Sequence, residues 1–299
     1  MTRPIVVGYD GSSSADAALD WAVAEGVRTG TPVVLAYAFE WPAASGPIMP
    51  GPAAWPDAAS RRDAETMVRV AAAEAVERYP QADVTASMLD GPAAIRLREK
   101  SRGAALLVVG NRGHGGFADL LLGSTSVAVS AHAHCPVVVV RGSVVSEAPV
   151  VVGVDGSEAS LQALRFAVEQ AANRDVTLRV VRAWNPPAPR WRPLAFDPLE
   201  IVAAERAVLD DELILWREKY PEVTMSAETV GDHPGRFLVE ASRTASLVVV
   251  GSRGHGGFTG LLLGSVSQQL LHHSHSPVAV IRGSSHTVEA GSGDQVDRS

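Results

Sequence analysis

Two glycine-rich segments of nearly the same sequence are the part of this chain best suited to chemistry. Residues 110–126 read GNRGHGGFADLLLGSTS, and residues 251–267 read GSRGHGGFTGLLLGSVS. Each segment follows a short apolar run, ALLVV (105–109) or LVVV (247–250), and leads into a sequence of helical character. A strand that passes through a glycine loop into a helix is a common phosphate-binding arrangement, because backbone N–H groups and the helix N-terminus attract anions. The sequence therefore predicts two anion sites.

The duplication extends well beyond the two loops. VVGYDGS (6–12) matches VVGVDGS (151–157), and CPVVVVRGS (135–143) matches SPVAVIRGS (276–284). The period is too long for a solenoid, whose repeats are about 20–50 residues long. A chain of 299 residues has room for two domains of ordinary size, each with its own core. The sequence therefore predicts a duplicated domain.

The predicted boundaries follow from the repeat. The first domain is expected at 1–143, the second at 148–284, and a disordered tail at 285–299. Each half alternates apolar strands with amphipathic helices. In the first half, strands are predicted at 5–9, 33–39, 83–89, 105–110 and 136–141, and helices at 14–30, 57–79, 91–101 and 124–133. Such alternation requires a parallel sheet covered by helices on both faces, so the predicted fold is α/β, with two tandem Rossmann-like domains of five parallel strands each.

The composition excludes several classes of protein. The net charge of −7 makes nucleic acid and anionic membranes poor partners. Cys135 is the single cysteine, so no disulfide forms within the chain. The first residues, MTRPIVVGYD, lack a secretory signal, and no apolar run is long enough to span a bilayer. These features predict a cytoplasmic protein that does not insert into membranes.

The spacing of the loop residues narrows the type of nucleotide site. Both copies have the pattern G-x2-G-x9-G-S, at Gly110, Gly113, Gly123 and Ser124 and again at Gly251, Gly254, Gly264 and Ser265. The pattern differs from the Walker loop, which requires a lysine that neither copy contains. It also differs from the dinucleotide fingerprint that follows a first strand.

An aspartate ends the first strand of each half, at Asp10 and Asp155. Together with the doubled loop motif, it makes the chain resemble the universal stress protein family in its tandem, nucleotide-binding form. The resemblance covers nearly the whole chain except 40–57, 184–197 and the tail. It implies ATP with Mg²⁺ as cofactor, one ATP per half, and a regulatory role in stress response or growth arrest through an unknown protein partner. It also implies antiparallel pairing of the last strands of the two halves, and leaves a further homodimer open.

The resemblance implies nucleotide-binding roles for particular residues, and no catalytic or metal-ligating residue. The aspartates would accept hydrogen bonds from adenosine, and the loop and helix N-terminus would hold ribose and phosphates. In the first half the implied residues are Gly8, Tyr9, Asp10, Ala38, Gly110, Arg112, Gly113, His114, Gly115, Gly116, Gly123, Ser124 and Thr125. In the second half they are Gly153, Val154, Asp155, Ala183, Gly251, Arg253, Gly254, His255, Gly256, Gly257, Gly264, Ser265 and Val266.

Other interpretations also fit several of these residues. Asp10, followed by glycine, is also suited to a turn or a helix cap. His114 and His255 are also consistent with solvated loop positions, because neutral histidine is a modest anion ligand. A metal site is the alternative interpretation of a set of histidines near the two last helices: His132, His134, His272, His273 and His275. Trp41 and Trp184, at the ends of the second strands, suit either a base or a hydrophobic rim.

Three classes of function fit the sequence. The first is the nucleotide-dependent regulator. The second is an ATP-using enzyme, either a slow hydrolase or an adenylyl-transferring relative, although neither loop carries the lysine that would help to neutralise charge in rapid phosphoryl transfer. The third is an interaction module that works without nucleotide.

Overall fold

The computed structural model describes most of both halves of the chain. The described residues are 2–40, 58–114, 122–142, 145, 147–185, 197–255 and 262–283. The predicted loop at 40–57, apart from its first residue, most of the segment 184–197 and the predicted tail at 285–299 lie outside them.

Both halves contain strands and helices in strict alternation, as predicted. The first half consists of β1 (Ile5–Gly8), α1 (Ser13–Thr29), β2 (Val33–Phe39), α2 (Ala58–Arg78), β3 (Val84–Asp90), α3 (Ala93–Lys100), β4 (Leu106–Gly110), α4 (Ser124–His132) and β5 (Val137–Val140). The second half consists of β6 (Val150–Gly153), α5 (Glu158–Arg174), β7 (Leu178–Ala183), α6 (Pro198–Lys219), β8 (Met225–Val230), α7 (Pro234–Ala241), β9 (Leu247–Gly251), α8 (Ser265–His273) and β10 (Val278–Ile281). The predicted helix at 91–101 begins later than expected, because Pro92 is its N-cap.

All ten strands form one sheet, in the order β3-β2-β1-β4-β5-β10-β9-β6-β7-β8. Within each half the neighbouring strands are parallel, which confirms the two predicted five-stranded parallel units. Two hydrophobic clusters cover the two faces of the sheet. One includes residues of α1, α2, α5 and α6, and the other includes residues of α3, α4, α7 and α8. The central strands are buried on both faces, which explains their continuous runs of valine and leucine.

The two halves join through their last strands. β5 and β10 are antiparallel, with Val139 opposite Val278 and Val137 opposite Val280. Two arginines reinforce the junction in a reciprocal way. Arg282 Nη1 donates to the carbonyl of Ala131 near the end of α4 at 2.5 Å, and Arg141 donates to carbonyls at the end of α8. Each half thus satisfies backbone carbonyls of the other, and the cations lie at the favourable C-terminal ends of the helices.

A buried ion pair also crosses from one half to the other, between α1 and α5. Glu25 is 2% exposed. Its two carboxylate oxygens accept hydrogen bonds from Gln170 Nε2 at 2.7 Å and from Arg174 Nη2 at 2.8 Å. Arg28 supplies a second cation at 2.5 Å. Burial lowers the pKa of Arg174, whose guanidinium also lies 5.2 Å from the ring centroid of Trp21. The carboxylate is therefore held by donors from both halves.

No helix in the described part of the chain is both long and apolar enough to cross a membrane.

Candidate functional site

The order of the strands creates one crevice in each half. From β1 the chain proceeds outward through β2 and β3, then returns to place β4 on the other side of β1. In a parallel sheet the helices that follow β1 and β4 therefore lie on opposite faces, which leaves an opening beyond the carboxyl ends of these strands. Asp10 follows β1 and the glycine loop follows β4. The second half repeats this arrangement with β6 and β9, so the two predicted sites are at equivalent edges of the sheet.

The aspartate after the first strand connects two parts of the site. Asp10 Oδ1 accepts hydrogen bonds from Ser12 N at 3.0 Å and from Ser12 Oγ at 2.6 Å. Its other oxygen accepts from the backbone N–H of His114 at 3.0 Å. The first pair of bonds is the turn predicted as an alternative role. The bond to His114 goes further, because it ties the glycine loop to the turn that starts α1.

Asp155 makes the same bonds in the second half. Ser157 N and Oγ donate to Oδ1 at 3.0 and 2.6 Å, and His255 N donates to Oδ2 at 2.9 Å. Burial acts to raise the pKa of Asp155, but the hydrogen bonds from Ser157 and His255 stabilise the carboxylate, and the net effect is a lowered pKa. Asp155 therefore holds its loop as an ion.

The glycine loops close through their own backbone. Gly123 N donates to the carbonyl of Asn111 at 2.8 Å, and Gly264 N donates to that of Ser252 at 2.8 Å. In the first loop Ser126 Oγ also bonds the Gly110 carbonyl at 2.7 Å. The start and the end of each loop are thereby fixed beside each other, which places the helix N-terminus next to the end of β4 or β9.

The helices that follow the loops begin without a side-chain cap. Gly123 and Gly264 occupy the N-cap positions of α4 and α8, where no side chain of a described residue caps the first N–H groups. In contrast, Ser12 and Ser157 cap α1 and α5 by accepting from Ala15 N and Ser160 N. Uncapped N–H groups at a helix N-terminus are donors for an anion.

A cavity is present at each of the two edges. The cavity of the first half has a volume of about 630 Å³, and that of the second half about 420 Å³. Both fall in the range of about 300–1,000 Å³ that is usual for small-molecule sites. Most of the predicted residues line them. In the first cavity these are Gly8, Tyr9, Asp10, Ala38, Gly110, Arg112, Gly113, Gly123, Ser124 and Thr125. In the second they are Gly153, Val154, Asp155, Ala183, Gly251, Arg253, Gly254, Gly264, Ser265 and Val266.

The remaining predicted residues divide into two groups. His114 and His255 are exposed and are not among the lining residues, although their backbone N–H groups bind the aspartates. Gly115, Gly116, Gly256 and Gly257 lie outside the described residues.

The sequence interpretation did not include the apolar wall of the cavities. It consists of Ala36, Leu97, Val109 and Leu122 in the first half, and of Val181, Leu238, Val250 and Leu263 in the second. Alternation along β2 indicates Ala36, because residues two apart on a strand share a face and Ala38 is one of the implied nucleotide-binding residues. Leu97 and Leu238 come from α3 and α7, and no local pattern connects them to the loop.

Neither cavity contains a preformed metal site among its described residues. No group of three or more His, Cys, Asp or Glu in the described part of the chain could hold a metal ion, and this includes the histidines near α4 and α8. Burial, together with the nearby His273 and Arg141, lowers the pKa of His272. The alternative of a histidine metal site thus has no support in the described residues.

Comparison with known proteins identifies the family of the chain. The universal stress protein family model matches residues 1–141 and 148–282, which is nearly the whole chain. The chain belongs to the universal stress protein family. A universal stress protein of Mycobacterium tuberculosis strain H37Rv is 35% identical over 289 residues, covering 94% of this chain and 96% of its own. One from Mycolicibacterium smegmatis is 35% identical over 293 residues, covering 93% of this chain and 96% of its own.

Solved structures of the family share the two-half architecture. A universal stress protein from Archaeoglobus fulgidus has a TM-score of 0.67 at 20% identity and covers 94% of this chain and 97% of its own. One from Pseudomonas aeruginosa has a TM-score of 0.64 at 17% identity, with 94% and 93% covered. At these identities the comparison establishes the fold: the tandem arrangement within one chain recurs in the family.

Proposed function

We propose that each half binds one ATP and that the chain is a nucleotide-dependent regulator of a stress response or of growth arrest. The observation that carries the proposal is the duplicated site, in which a glycine loop, an uncapped helix N-terminus and a cavity coincide in both halves. We place the protein in the cytoplasm and propose that it acts on a protein partner. We also propose 1–143 and 148–284 as its two domains.

The glycines that cap α4 and α8 support a ligand at this position. Gly123 has φ −73° and ψ 145°, and Gly264 has φ −70° and ψ 158°, which any residue can adopt. A Cβ on Gly123 would have its nearest described neighbours at 3.5 Å, and one on Gly264 at 3.4 Å. Neither the backbone nor the described surroundings therefore require glycine. Close approach of a phosphate to the backbone gives a reason for it.

Gly113 and Gly254 have a different reason to be glycine. A Cβ on either residue would overlap the carboxylate of Asp10 or Asp155. These two glycines are therefore required by the bond between the aspartate and the loop. The loop glycines thus separate into those that the fold demands and those for which a ligand is the remaining explanation.

Each cavity has surfaces suited to the two ends of a nucleotide. The loop and the helix N-terminus supply backbone donors and one arginine, Arg112 or Arg253, for phosphates. The apolar wall around Ala36 and Leu97 in the first half suits a flat base. Asp10 supplies the one carboxylate among the described lining residues of the first cavity. A Mg²⁺ ion that binds together with ATP commonly takes one or two protein carboxylates, and its other ligands are phosphate oxygens and water. One carboxylate at this position therefore suits Mg²⁺ bound to the phosphates.

A binding role fits the site better than rapid catalysis. The loops contain no lysine, and the carboxylates of Asp10 and Asp155 already accept hydrogen bonds from serine and from the loop backbone. An ATP hydrolase or an adenylyl-transferring enzyme is the second candidate, favoured only by Arg112 and Arg253 at the loops. Turnover with excess ATP and magnesium separates the two. Several turnovers per second, abolished by loop substitutions, would establish the enzyme.

The proposal is tested by the nucleotide that the protein carries and by loop variants. Mass analysis of small molecules released from freshly purified protein should find adenine nucleotide. ATP should raise the melting temperature, because it binds the folded state preferentially. Gly123→Val and Gly264→Val should each remove part of this stabilisation and leave the circular dichroism unchanged. If ATP stabilises neither the wild type nor the variants, the chain is a nucleotide-independent interaction module instead.

A further inference from the structure

The walls of the two cavities differ at structurally equivalent positions. Ala36 lies opposite Gly8 in the first half, and Val181 lies opposite Gly153 at the same register in the second. The helix beside each cavity begins with Ala93 in the first half but with Pro234 in the second. Both replacements add side-chain atoms to the wall. They agree in direction with the volumes of about 630 and about 420 Å³.

The cavities also differ in the hydroxyl groups that line them. Some of these hydroxyls already donate hydrogen bonds within the chain: Ser12, Ser14 and Ser126 in the first cavity, and Ser160 and Ser267 in the second. Among the described residues, the first is lined by Ser12, Ser13, Ser14, Ser124, Thr125 and Ser126. The second is lined by Ser160, Ser265 and Ser267. The second residue of the helix after the loop is Thr125 in α4 and Val266 in α8, so one hydroxyl donor is replaced by an apolar side chain at the anion-facing end. The start of α1 thus contributes to the first cavity much more than the start of α5 contributes to the second.

The first turns of α1 and α5 each contain one acidic residue, but at different positions: Asp16 in α1, whose carboxylate accepts from the Tyr9 hydroxyl at 2.7 Å, and Glu158 in α5. Ser13, the first residue of α1, lines the first cavity. Glu158, at the equivalent position, is the first residue of α5; it is exposed and is not among the described lining residues of the second cavity. Its carboxyl carbon lies 3.7 Å from where a Cβ on Gly283 would be, just after β10 at the carboxyl edge of the sheet. A carboxylate at this place interacts with the positive end of the helix itself and repels further negative charge.

We infer that the two sites differ in their preference between ligands. Both sites bind ATP, but the first favours several phosphates over a single phosphate more strongly than the second does. The inference rests on the proposed function of both sites and adds the phosphate preference of each. The first cavity is larger, is lined by more hydroxyl groups, and has Ser13 at the position where the second half has Glu158. All three differences favour the more highly charged ligand in the first half. Val181, Val266 and Glu158 oppose it in the second.

Calorimetric titration of the full chain with ATP and, separately, with AMP tests the inference. Gly264→Val leaves the first site for measurement, and Gly123→Val leaves the second. Alanine at the same positions serves if valine disturbs the circular dichroism. The ratio of ATP to AMP affinity should be at least about tenfold higher at the first site, the size expected for one close like-charge contact in a partly screened site.

Exchange of the differing residues should exchange the preference. Glu158→Ser combined with Val266→Thr should raise the ATP affinity of the second site about tenfold and change its AMP affinity by less than about threefold. Ser13→Glu should lower the ATP affinity of the first site. Glu169→Ser is the matched control, because Glu169 is a partly exposed glutamate farther along the same helix, α5. It should leave both affinities unchanged.

Two results would overturn the inference in distinguishable ways. Equal ATP-to-AMP ratios at the two sites, with both nucleotides bound, would overturn the difference between the sites and leave the proposed function intact. Absence of binding for both nucleotides at both sites would overturn the proposed function, and the inference with it.

Discussion

Replacement of Asp155 by alanine should destabilise the second glycine loop even in the nucleotide-free chain. The substitution removes the acceptor for Ser157 N, Ser157 Oγ and His255 N. A hydrogen bond to a charged acceptor contributes about 1.5–3 kcal/mol when its partners stay buried. Because the loop is partly exposed, water takes over some of the lost hydrogen bonds in the variant. We therefore expect the free energy of unfolding to fall by about 2–4 kcal/mol in total. For a chain of 299 residues that corresponds to a melting temperature lower by about 3–6 °C.

The assay is thermal unfolding of the nucleotide-free chain together with hydrogen exchange at the His255 amide. Exchange at this amide should become faster in Asp155→Ala, because its acceptor is gone. Glu169→Ala is the control, since it removes an exposed ion pair with Arg165 at 3.2 Å, which is worth at most about 1 kcal/mol. A fall in melting temperature no larger than that of the control, with unchanged exchange at His255, would refute the role assigned to Asp155.

The pH dependence has a definite sign. The pKa of Asp155 in the folded chain is below its ordinary value of 3.8, although burial alone would raise it, because hydrogen bonds from Ser157 and His255 outweigh burial. The carboxylate therefore contributes its full stabilisation above pH 3.8, and this is lost as the pH falls through the folded pKa. The stability difference between wild type and Asp155→Ala should be constant at neutral pH and should shrink in acid. A difference that grows on acidification would contradict the assignment.

Three further predictions concern the core and the junction. Burial raises the pKa of the Cys135 thiol to about 12, so a disulfide reagent at mildly alkaline pH should label the native chain far more slowly than the unfolded chain, and equal rates would contradict this. Gly142 and Gly30 both have φ +63°, but only at Gly142 would a Cβ overlap a backbone carbonyl of the second half. Gly30→Ala should cost about 1–2 kcal/mol in urea unfolding and Gly142→Ala clearly more, and equal costs would refute the contact. Glu25→Ala should cost about 3–5 kcal/mol, because it leaves the buried guanidinium of Arg174 without its carboxylate, and a loss below about 1 kcal/mol would contradict this.

Local pattern was sufficient to predict the elements and the parallel sheets. Strands buried on both faces read as continuous apolar runs, and the repeat supplied the same information twice. The join between the halves is different, because the runs at 136–141 and 277–282 are equally compatible with any partner strand. Only the resemblance to a family implied their antiparallel pairing, which the register of Val139 with Val278 confirms.

The site was predictable where its residues are contiguous in sequence. The glycine motif located the loop and the aspartate located the turn. Contacts between distant residues left no such pattern. The donor to Asp10 Oδ2 is the backbone amide of His114, 104 residues away. Every residue except proline has such an amide, so the sequence does not indicate this contact. Glu25 lies in the predicted first helix, and its burial depends on Gln170 and Arg174, which are more than a hundred residues distant in the sequence.

Calorimetric titration with ATP is the most direct test of the central claim, that both halves are nucleotide sites. Stoichiometry of the wild-type chain, summed over both sites, should be near two ATP per chain at saturating concentration. Gly123→Val and Gly264→Val should each reduce it to near one, and the double variant to near zero, with the fold intact. A wild-type stoichiometry near zero would contradict the account, as would an unchanged stoichiometry in the double variant.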